Sequence, residues 1–337
     1  MNSDLIKQLF HSFINKDNDS FLKAANEIIK NEERKKHRIL VKELKEILNK
    51  NIGIYSYGYQ KRLKEAIPIP RDIEKGFPLL EIKEFHLDWL DVILANEVVL
   101  ALKKVIQEFD KSEILATYGI KPKQKLLFCG PPGTGKTLTA QLMSSLLGYP
   151  MAYIRFDAII SSYLGETATN LRKIFDFFEQ GRWVVLFDEF DVIGKHRDDH
   201  YEHGEIKRVV NNFLQMLDNF MGDSLIIAAT NHQHLLDPAL WRRFDETLYF
   251  DIPDEKRRIL IFEKYLRVIT KDSSFDIKQL SKQTDGMTPA EIALICFESI
   301  KNSVLNDRDR VEIDDLTSSI MEQKRRRDIK GRTNGVK

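Results

Sequence analysis

The first 50 residues carry apolar positions at helical spacing and no strand-like alternation. The stripes are Leu5, Leu9 and Phe13, then Phe21, Ala24, Ala25 and Ile28, then Leu40, Leu44, Ile47 and Leu48. This spacing predicts two or three short helices, because positions three or four apart share one helix face. Asp17 to Ser20 predict the turn after the first helix. A unit of this size has a small core, so it either supports the body of the protein or serves as an adaptor for a partner.

Residues 51–86 carry glycines and prolines without a sustained period, which predicts a linker. From Leu90 to Phe109 the apolar positions again follow helical spacing. This long amphipathic helix is predicted to open the main domain.

From residue 125 onward, apolar runs of strand length alternate with amphipathic helices. The predicted strands are Lys125–Cys129, Met151–Arg155, Trp183–Phe187 and Leu225–Ala229, and the helices between them are Thr137–Leu147, Thr167–Phe178 and Ile206–Phe220. Alternating strands and helices predict an α/β fold with a parallel sheet covered on both faces, an αβα sandwich.

After Pro253 the strand pattern stops. The predicted helices are Glu255–Val268, Ile277–Gln283, Pro289–Leu305 and Ile313–Arg327. The expected organisation is a helical unit at 1–50, a linker at 51–86, an α/β domain at 87–252, an all-helical domain at 253–327 and a basic tail at 328–337.

Charge and cysteine content narrow the function classes. Lys plus Arg number 52 and Asp plus Glu 51, so the net charge of +1 gives no footprint of a nucleic-acid binder. Cys129 and Cys296 lack metal-like or disulfide-like neighbours and are predicted to be small core residues in a reduced compartment. The N-terminus lacks a signal-peptide pattern, and no apolar run is long enough for a membrane span, so a cytoplasmic location is expected.

Residues 130–137 read GPPGTGKT and fit the phosphate-loop pattern G-x-x-x-x-G-K-[ST]. Glycines let backbone N–H groups close around phosphates, a lysine supplies charge, and a hydroxyl coordinates Mg²⁺. Lys136 is therefore assigned to the β- and γ-phosphates and Thr137 to Mg²⁺. The predicted nucleotide-binding residues here are Pro132, Gly133, Thr134, Gly135, Lys136, Thr137 and Leu138.

Residues 184–191 read VVLFDEFD, an apolar strand followed by two carboxylates. Asp188 is predicted to hold Mg²⁺ through its water shell, and Glu189 to polarise the attacking water. The phosphate loop and this strand together predict an ATPase with ATP and Mg²⁺ as cofactors.

Around these motifs the chain resembles AAA ATPases of the branch that holds katanin, spastin and FtsH-like protein-unfolding hexamers, over about residues 85 to 325. The segment TYGIKPKQKLLFCGPPGTGKTLTA, from Thr117 to Ala140, is similar to that branch, as is AATN from Ala228 to Asn231. The resemblance implies the P-loop NTPase (AAA+) fold with a C-terminal helical lid. It also implies that Gly119 and Ile120 border the adenine and that Asn231 touches the γ-phosphate or its water.

The segment LDPALWRRFD, from Leu236 to Asp245, resembles the family's second region of homology. The resemblance implies that Arg242 and Arg243 face the γ-phosphate of a neighbouring subunit, which makes a homo-hexameric ring the expected assembly. A guanidinium suits this task because it spreads charge over several oxygens. The alternative is an internal salt bridge for one of the two, and the sequence leaves open which arginine is the finger.

Residues 161–175, SSYLGETATNLRKIF, look like the family's first pore loop and the helix after it. The resemblance implies that Tyr163, Leu164 and Gly165 project into a central channel and grip an extended polypeptide. The alternative is that Tyr163 packs in the core of its own subunit.

The polar run KHRDDHYEHGE at 195–205 contains His196, His200 and His203. Their spacing is open to zinc binding, although no cysteine accompanies them. The alternative is a second pore loop, since HGEIKR resembles the start of the helix that follows that loop in the family.

Two positions depart from the family pattern. Glu263 is assigned to the place where a histidine often faces the nucleotide, and Pro289-Ala290 replaces a Gly-Ala pair. The basic tail allows a nucleic-acid contact or a solvated helix end.

The resemblance implies an ATP-driven protein-remodelling ring whose N-terminal unit recruits a polypeptide substrate or adaptor and which feeds a separate protease. The alternative is a nucleotide-switched assembly or DNA-associated ATPase that threads no polypeptide.

Overall fold

The computed structural model describes residues 68–72, 76–154, 164–190, 203–236, 238–268, 270–271 and 276–334, together with scattered positions between residues 5 and 31. The chain divides into two compact units, Met1–Arg62 and Leu63–Lys337. In the first unit the described positions are helical. Leu5, Ala24 and Ala25 are buried there, which agrees with the predicted apolar stripes, whereas Ile29 is buried in place of the predicted Ile28.

A six-stranded sheet organises the described part of the second unit. Its strands are β1 (Leu80–Lys83), β2 (Lys125–Cys129), β3 (Met151–Ile154), β4 (Val184–Phe187), β5 (Leu225–Thr230) and β6 (Glu246–Tyr249). Their spatial order is β1-β3-β4-β5-β2-β6. The strands β3, β4, β5 and β2 pair in parallel, as the alternating pattern predicts, and β6 pairs in parallel with β2 at the edge of the sheet.

Helices cover both faces of this sheet, so the predicted αβα sandwich is confirmed. They are α1 (Asn96–Asp110), α2 (Ser112–Thr117), α3 (Lys136–Leu147), α4 (Leu164–Glu179), α5 (His203–Asn219) and the short α6 (Pro238–Trp241). Side chains alternate along each strand. In β4, Val185 and Phe187 pack with α4 and α5, while Val184 and Leu186 pack with α1 and α3.

The predicted linker at 51–86 is wrong near its C-terminal end, because Leu80–Lys83 form the edge strand β1. It pairs antiparallel with β3, placing Leu80 opposite Ile154. Leu79 and Leu80 are buried in the core, and Asn170 Nδ2 of α4 donates a 2.8 Å hydrogen bond to Asp72 Oδ2 in the segment before the strand. The strand was missed because Leu80 is the single fully buried position among its four residues, which is too weak a period to detect.

The strand β6 was also missed, and for the same reason: of its four residues, only Leu248 is buried. The helix α1 is shorter than predicted. A 3₁₀ turn at Trp89–Asp91, closed by a capping box between Asp88 and Asp91, precedes it, and Val92 is extended. The apolar residues from Leu90 to Leu94 therefore lie before the helix.

The C-terminal helices form a second core, as predicted. They are α7 (Glu255–Tyr265), α8 (Ile277–Gln283), α9 (Pro289–Leu305) and α10 (Ile313–Asn334). The domain is not entirely helical, because Thr270–Lys271 and Arg310–Val311 form a two-residue parallel pair. The last helix continues seven residues beyond its predicted end, through most of the predicted basic tail. Cys129 and Cys296 are both buried and are not joined in a disulfide, as predicted.

Candidate nucleotide site

The phosphate loop connects β2 to α3 through a backbone that glycine alone adopts easily. Gly130, Gly133 and Gly135 have φ values of 140°, 78° and 100°. A Cβ at Gly130 would overlap the carbonyl oxygen of Phe250, which follows β6. Gly135 is the N-cap of α3, so the first amides of this helix face the loop. A helix N-terminus with free amides is a ready anion site, which fits a bound phosphate.

Lys136 is 6% exposed, and its ammonium lies against the loop. Its Nζ donates hydrogen bonds of 2.7 Å to the carbonyl oxygen of Gly130 and 2.8 Å to that of Pro131. Thr134 Oγ1 donates to the same Pro131 carbonyl at 2.8 Å. The loop is therefore held in shape from within, with a cation at its centre.

The hydroxyl of Thr137 and the carboxylate of Asp188 are in direct contact. Thr137 Oγ1 donates a 2.7 Å hydrogen bond to Asp188 Oδ2. Tyr153 of β3 approaches the same oxygen, with its hydroxyl 3.5 Å away. Hydroxyl and carboxylate oxygens are hard ligands, so this pair fits Mg²⁺ beside a phosphate.

The Tyr153 hydroxyl stays neutral in this setting. Burial and the nearby charges of Asp188 and Glu189 raise the pKa of Tyr153 to about 12. It therefore acts as a hydrogen-bond donor toward the carboxylate, and it was not among the predicted site residues. Its position on the strand beside β4 was the signal that could have identified it.

Glu189 is exposed beside this pair and has a φ of 51°, which is unusual for a residue other than glycine. Its neighbour Phe190 is fully buried, and the Phe190 N–H donates to the carbonyl of Ala229 in β5 at 2.9 Å. The buried Phe190 thus fixes the turn that directs Glu189 outward. Strained backbone of this kind often accompanies functional residues.

Asn231 follows the last residue of β5, and β5 lies beside β4. Because parallel neighbours end at the same edge of a sheet, Asn231 and the Asp188-Glu189 pair are at that common edge. Asn231 is half-buried. The structure thus brings the predicted residues of the phosphate loop, the strand β4 and the strand β5 together.

Arg242 and Arg243 have different surroundings. Arg243 Nε is 3.2 Å from Asp218 Oδ2 of α5, and its Nη1 donates to the carbonyl of Ala239 at 3.0 Å. Arg242 is exposed. The internal salt bridge considered for one of the two arginines therefore belongs to Arg243.

An open cavity adjoins the phosphate loop where the helical domain meets the α/β domain. Three parts of the chain line it, namely Asp91–Leu94, then Thr134, Gly135 and Leu138, then Ile261, Lys264, Tyr265 and Pro289. Its lining is mainly apolar and lies next to the anion site, which suits the base of a nucleotide.

The predicted adenine contacts Gly119 and Ile120 do not line this cavity, so their role stays a prediction. Their amides close the C-terminus of α2, and Ile120 is 55% exposed. Glu263 is exposed and faces away, because Ile261, Lys264 and Tyr265 occupy the cavity face of α7 at positions i, i+3 and i+4.

The helical domain also contacts the phosphate loop directly. The amide of Ala290 donates a 3.1 Å hydrogen bond to the carbonyl of Gly133. Thr288 caps α9 in a reciprocal box with Glu291, and Pro289 occupies the first turn. Proline suits this place because a first-turn amide has no partner within the helix.

Several predicted residues lie outside the described part of the chain. Tyr163, His196 and His200 are among them, and the side chains of Leu164 and His203 are likewise outside it, although both residues begin helices. Among the described residues, no group of three or more His, Cys, Asp or Glu could hold a metal ion. Within the same residues, no helix is both long and apolar enough to cross a membrane.

A mixed α/β fold with a phosphate loop, an Asp-Glu pair at the end of the adjacent buried strand and a helical lid defines a P-loop ATPase. Residues 126–252 match the family model "ATPase family associated with various cellular activities (AAA)". The chain is 37% identical over 326 residues to the AAA family ATPase y4kL of Sinorhizobium fredii, covering 96% of each protein. The chain belongs to the AAA family of ATPases.

Two proteasome-related proteins are also similar. The chain is 31% identical to the proteasome-activating nucleotidase of Methanopyrus kandleri over 75% of its own length and 60% of that protein. It is 33% identical to the 26S proteasome subunit RPT4 of Saccharomyces cerevisiae over 67% of its own length and 53% of that protein. The chain thus spans little more than half of these two relatives. The narrower katanin, spastin and FtsH-like branch stays a prediction.

Proposed function

We propose that this chain hydrolyses ATP at the sheet edge formed by the phosphate loop, β4 and β5. The observation that carries the proposal is the Thr137–Asp188 contact with Glu189 exposed beside it. Mg²⁺, when bound, supplies positive charge to the phosphates, and Thr137 and Asp188 are the residues that would hold it. Lys136 binds the phosphate oxygens, Glu189 polarises the attacking water, and Asn231 positions it.

A Glu189→Gln variant tests this assignment. It keeps the size of the side chain and removes the carboxylate, so we expect ATP binding to persist while phosphate release falls at least about 100-fold. Glu97→Gln, in the first turn of α1, is the matched control and should leave hydrolysis unchanged. A fully active Glu189→Gln variant would remove Glu189 from this role.

We further propose that hydrolysis requires a homo-hexameric ring in which Arg242 reaches the nucleotide of the neighbouring subunit. The contrast between the two arginines supports this choice, because Arg243 is bound to Asp218 and Ala239 of its own chain while Arg242 is exposed. Arg243 then has the task of holding the segment that carries Arg242.

Mixing two inactive variants tests the shared site. A subunit with Arg242→Ala keeps its Glu189, and a subunit with Glu189→Gln keeps its Arg242. If Arg242 acts on the neighbouring site, mixed rings contain some complete sites, so the mixture should hydrolyse ATP although neither variant does so alone. No recovery on mixing, with rings visible in particle images, would show that Arg242 acts within its own subunit or has no catalytic role.

The proposed use of this hydrolysis is the remodelling of polypeptides by threading through the ring. Tyr163, Leu164 and Gly165 match a pore loop in sequence, and two relatives are named for proteasome activation or membership of the 26S proteasome. In this proposal the N-terminal helical unit recruits the substrate or adaptor, a separate protease receives the product, and the protein works in the cytoplasm.

Casein, an unfolded protein, provides the probe. Casein should stimulate the ATPase activity of the wild type. Tyr163→Ala should lose this stimulation while keeping its basal rate of hydrolysis. Tyr163→Phe should keep both the basal rate and the stimulation, because its side chain is still aromatic. Equal stimulation of the Tyr163→Ala variant would reject threading by this residue.

The alternative of a DNA-associated ATPase gains no support from the C-terminal arginines. Arg325 and Arg326 pair with Glu322, and Arg327 lies 3.3 Å from Glu291 and donates to the carbonyl of Gly286. Two carboxylates, those of Glu322 and Glu291, thus offset part of the charge of these three arginines. Stimulation of the ATPase activity by DNA but not by casein would favour a DNA-associated ATPase over polypeptide threading.

A further inference from the structure

Lys264 links the helical domain to the segment that precedes α1. This lysine lies on α7, and its Nζ donates a hydrogen bond to the backbone carbonyl of Asp91. The same ammonium is 5.1 Å from the centre of the Tyr265 ring, within the range of a cation–π contact. Tyr265 in turn contacts Phe297 of α9, with ring centres 5.3 Å apart. Tyr265 is partly buried against the core of the helical domain, and Phe297 is 53% exposed, so the lysine contacts an aromatic pair at the edge of that core.

The hydrogen bond made by Lys264 joins two of the segments that line the cavity beside the phosphate loop. Asp91–Leu94 form one side of this cavity, and Ile261, Lys264 and Tyr265 form the side contributed by α7. Ile93 packs against the core of the helical domain at the same place. The two sides of the cavity therefore separate only if Ile93 leaves that core and the Lys264 hydrogen bond breaks.

The chemistry of this bond suits a reversible contact. A lysine ammonium has three donors, and here it meets a neutral carbonyl rather than a carboxylate. Burial lowers the pKa of Lys264, while the charge of Asp91 acts in the opposite direction. A charged hydrogen bond to a neutral partner is strong enough to hold two elements together and weaker than a buried ion pair, so it can open and close.

We propose that Lys264 is a positioning residue that latches the helical domain over the base of a bound adenine nucleotide and so sets how long the nucleotide stays. This inference rests on the proposed ATP site. The base lies between Val92–Leu94 and the residues Ile261, Tyr265 and Pro289, so its release requires the two sides to part. The phosphates are bound by the loop at 130–137 and do not depend on the latch.

The variants separate the latch from other effects of the side chain. Lys264→Met keeps the length and apolar stem but has no donor, whereas Lys264→Arg keeps charge and donors. Lys256→Met, at an exposed position on the same helix, controls for loss of a lysine charge from α7. Loss of the Lys264–Asp91 hydrogen bond should weaken nucleotide binding mainly by raising the dissociation rate, since the latch must open before the nucleotide leaves.

Stopped-flow dissociation of a fluorescent ADP analogue, chased with excess ADP, measures this rate. We expect Lys264→Met to release the analogue about tenfold faster than wild type, which corresponds to about 1.4 kcal/mol. Lys264→Arg and Lys256→Met should stay within about twofold of wild type. Affinity for tripolyphosphate with Mg²⁺, which has no base, should be the same in all four proteins.

An unchanged dissociation rate in Lys264→Met would overturn the latch. Equal weakening of tripolyphosphate binding would also overturn it, because it would show a general distortion of the site. A wild-type protein that binds neither the ADP analogue nor tripolyphosphate would instead reject the proposed ATP site, so the two failures are distinguishable.

Discussion

Thr137 Oγ1 donates a 2.7 Å hydrogen bond to Asp188 Oδ2, although 51 positions separate the two residues. The contact joins the phosphate loop to the end of β4. It places two oxygen ligands of the kind that Mg²⁺ prefers beside the predicted phosphate position.

This pair gives a first prediction. Asp188→Asn should raise the Mg²⁺ concentration needed for half-maximal ATP hydrolysis roughly 10- to 100-fold, because the ion loses an anionic partner. Asp223→Asn, which removes an exposed partner of Arg182, is the control and should leave the Mg²⁺ requirement unchanged. The measurement is phosphate release across a Mg²⁺ titration. Identical curves for wild type and Asp188→Asn would contradict the assignment of Asp188 to Mg²⁺ binding.

A second prediction concerns two glycines that both have a positive φ but differ in their surroundings. Gly130→Ala adds a Cβ that overlaps the carbonyl of Phe250 at a φ of 140°, so we expect a loss of about 3 kcal/mol in the free energy of unfolding. Gly119→Ala meets open space at a φ of 70° and should cost about 1 kcal/mol. Denaturant titrations measure both, and equal losses would show that crowding at Gly130 is relieved by movement of β6.

A third prediction follows from the raised pKa of Tyr153. The folded-state pKa is about 12 and the ordinary value is 10.0, so the folded protein retains the phenolic proton over a pH range in which the unfolded chain loses it. The stability contributed by the neutral phenol is therefore complete below pH 10 and is lost as the pH rises toward 12.

Tyr153→Phe removes this titration. Its unfolding free energy should decline less than that of wild type between pH 10 and 12, as followed by urea titrations at each pH. Parallel declines in the two proteins would indicate that Tyr153 titrates near its ordinary value.

A fourth prediction concerns the two thiols. Cys129 is 1% exposed, and burial raises its pKa to about 11, so only about one molecule in a thousand carries the thiolate at pH 8. Cys296 is fully buried. Ellman's reagent should label neither thiol in the folded protein within minutes and both after unfolding in guanidinium chloride. Rapid labelling of the native protein would show that the core around the labelled cysteine opens far more often than its packing indicates.

Local sequence predicted much of this architecture. The strands β2 to β5 are apolar runs bounded by turn residues, and both burial and backbone pairing favour the same structure for them. The phosphate loop and the Asp188-Glu189 pair could be identified because their chemistry requires particular residue types at fixed local spacing. The strands β1 and β6 could not, since each has four residues and a single fully buried side chain.

The cavity beside the phosphate loop could not be located in this way, because no local pattern marks it. Its lining comes from three parts of the chain, represented by Val92, Leu138 and Lys264, that meet only after the helical domain packs on the α/β domain. Glu263 was assigned to the place where a histidine often faces the nucleotide, but it does not line the cavity, since a shift of one residue on a helix turns a side chain by about 100°.

The sequence by itself thus determined the class of fold and the residues proposed to bind phosphate, because both depend on short-range periodicity and on residue chemistry at fixed spacing. Tertiary structure decided which side chains form the cavity beside the phosphate loop. It also decided that Arg243 is bound within its own chain while Arg242 is exposed, and that Lys264 bonds to Asp91. These outcomes depend on distances between elements far apart along the chain, which only packing sets.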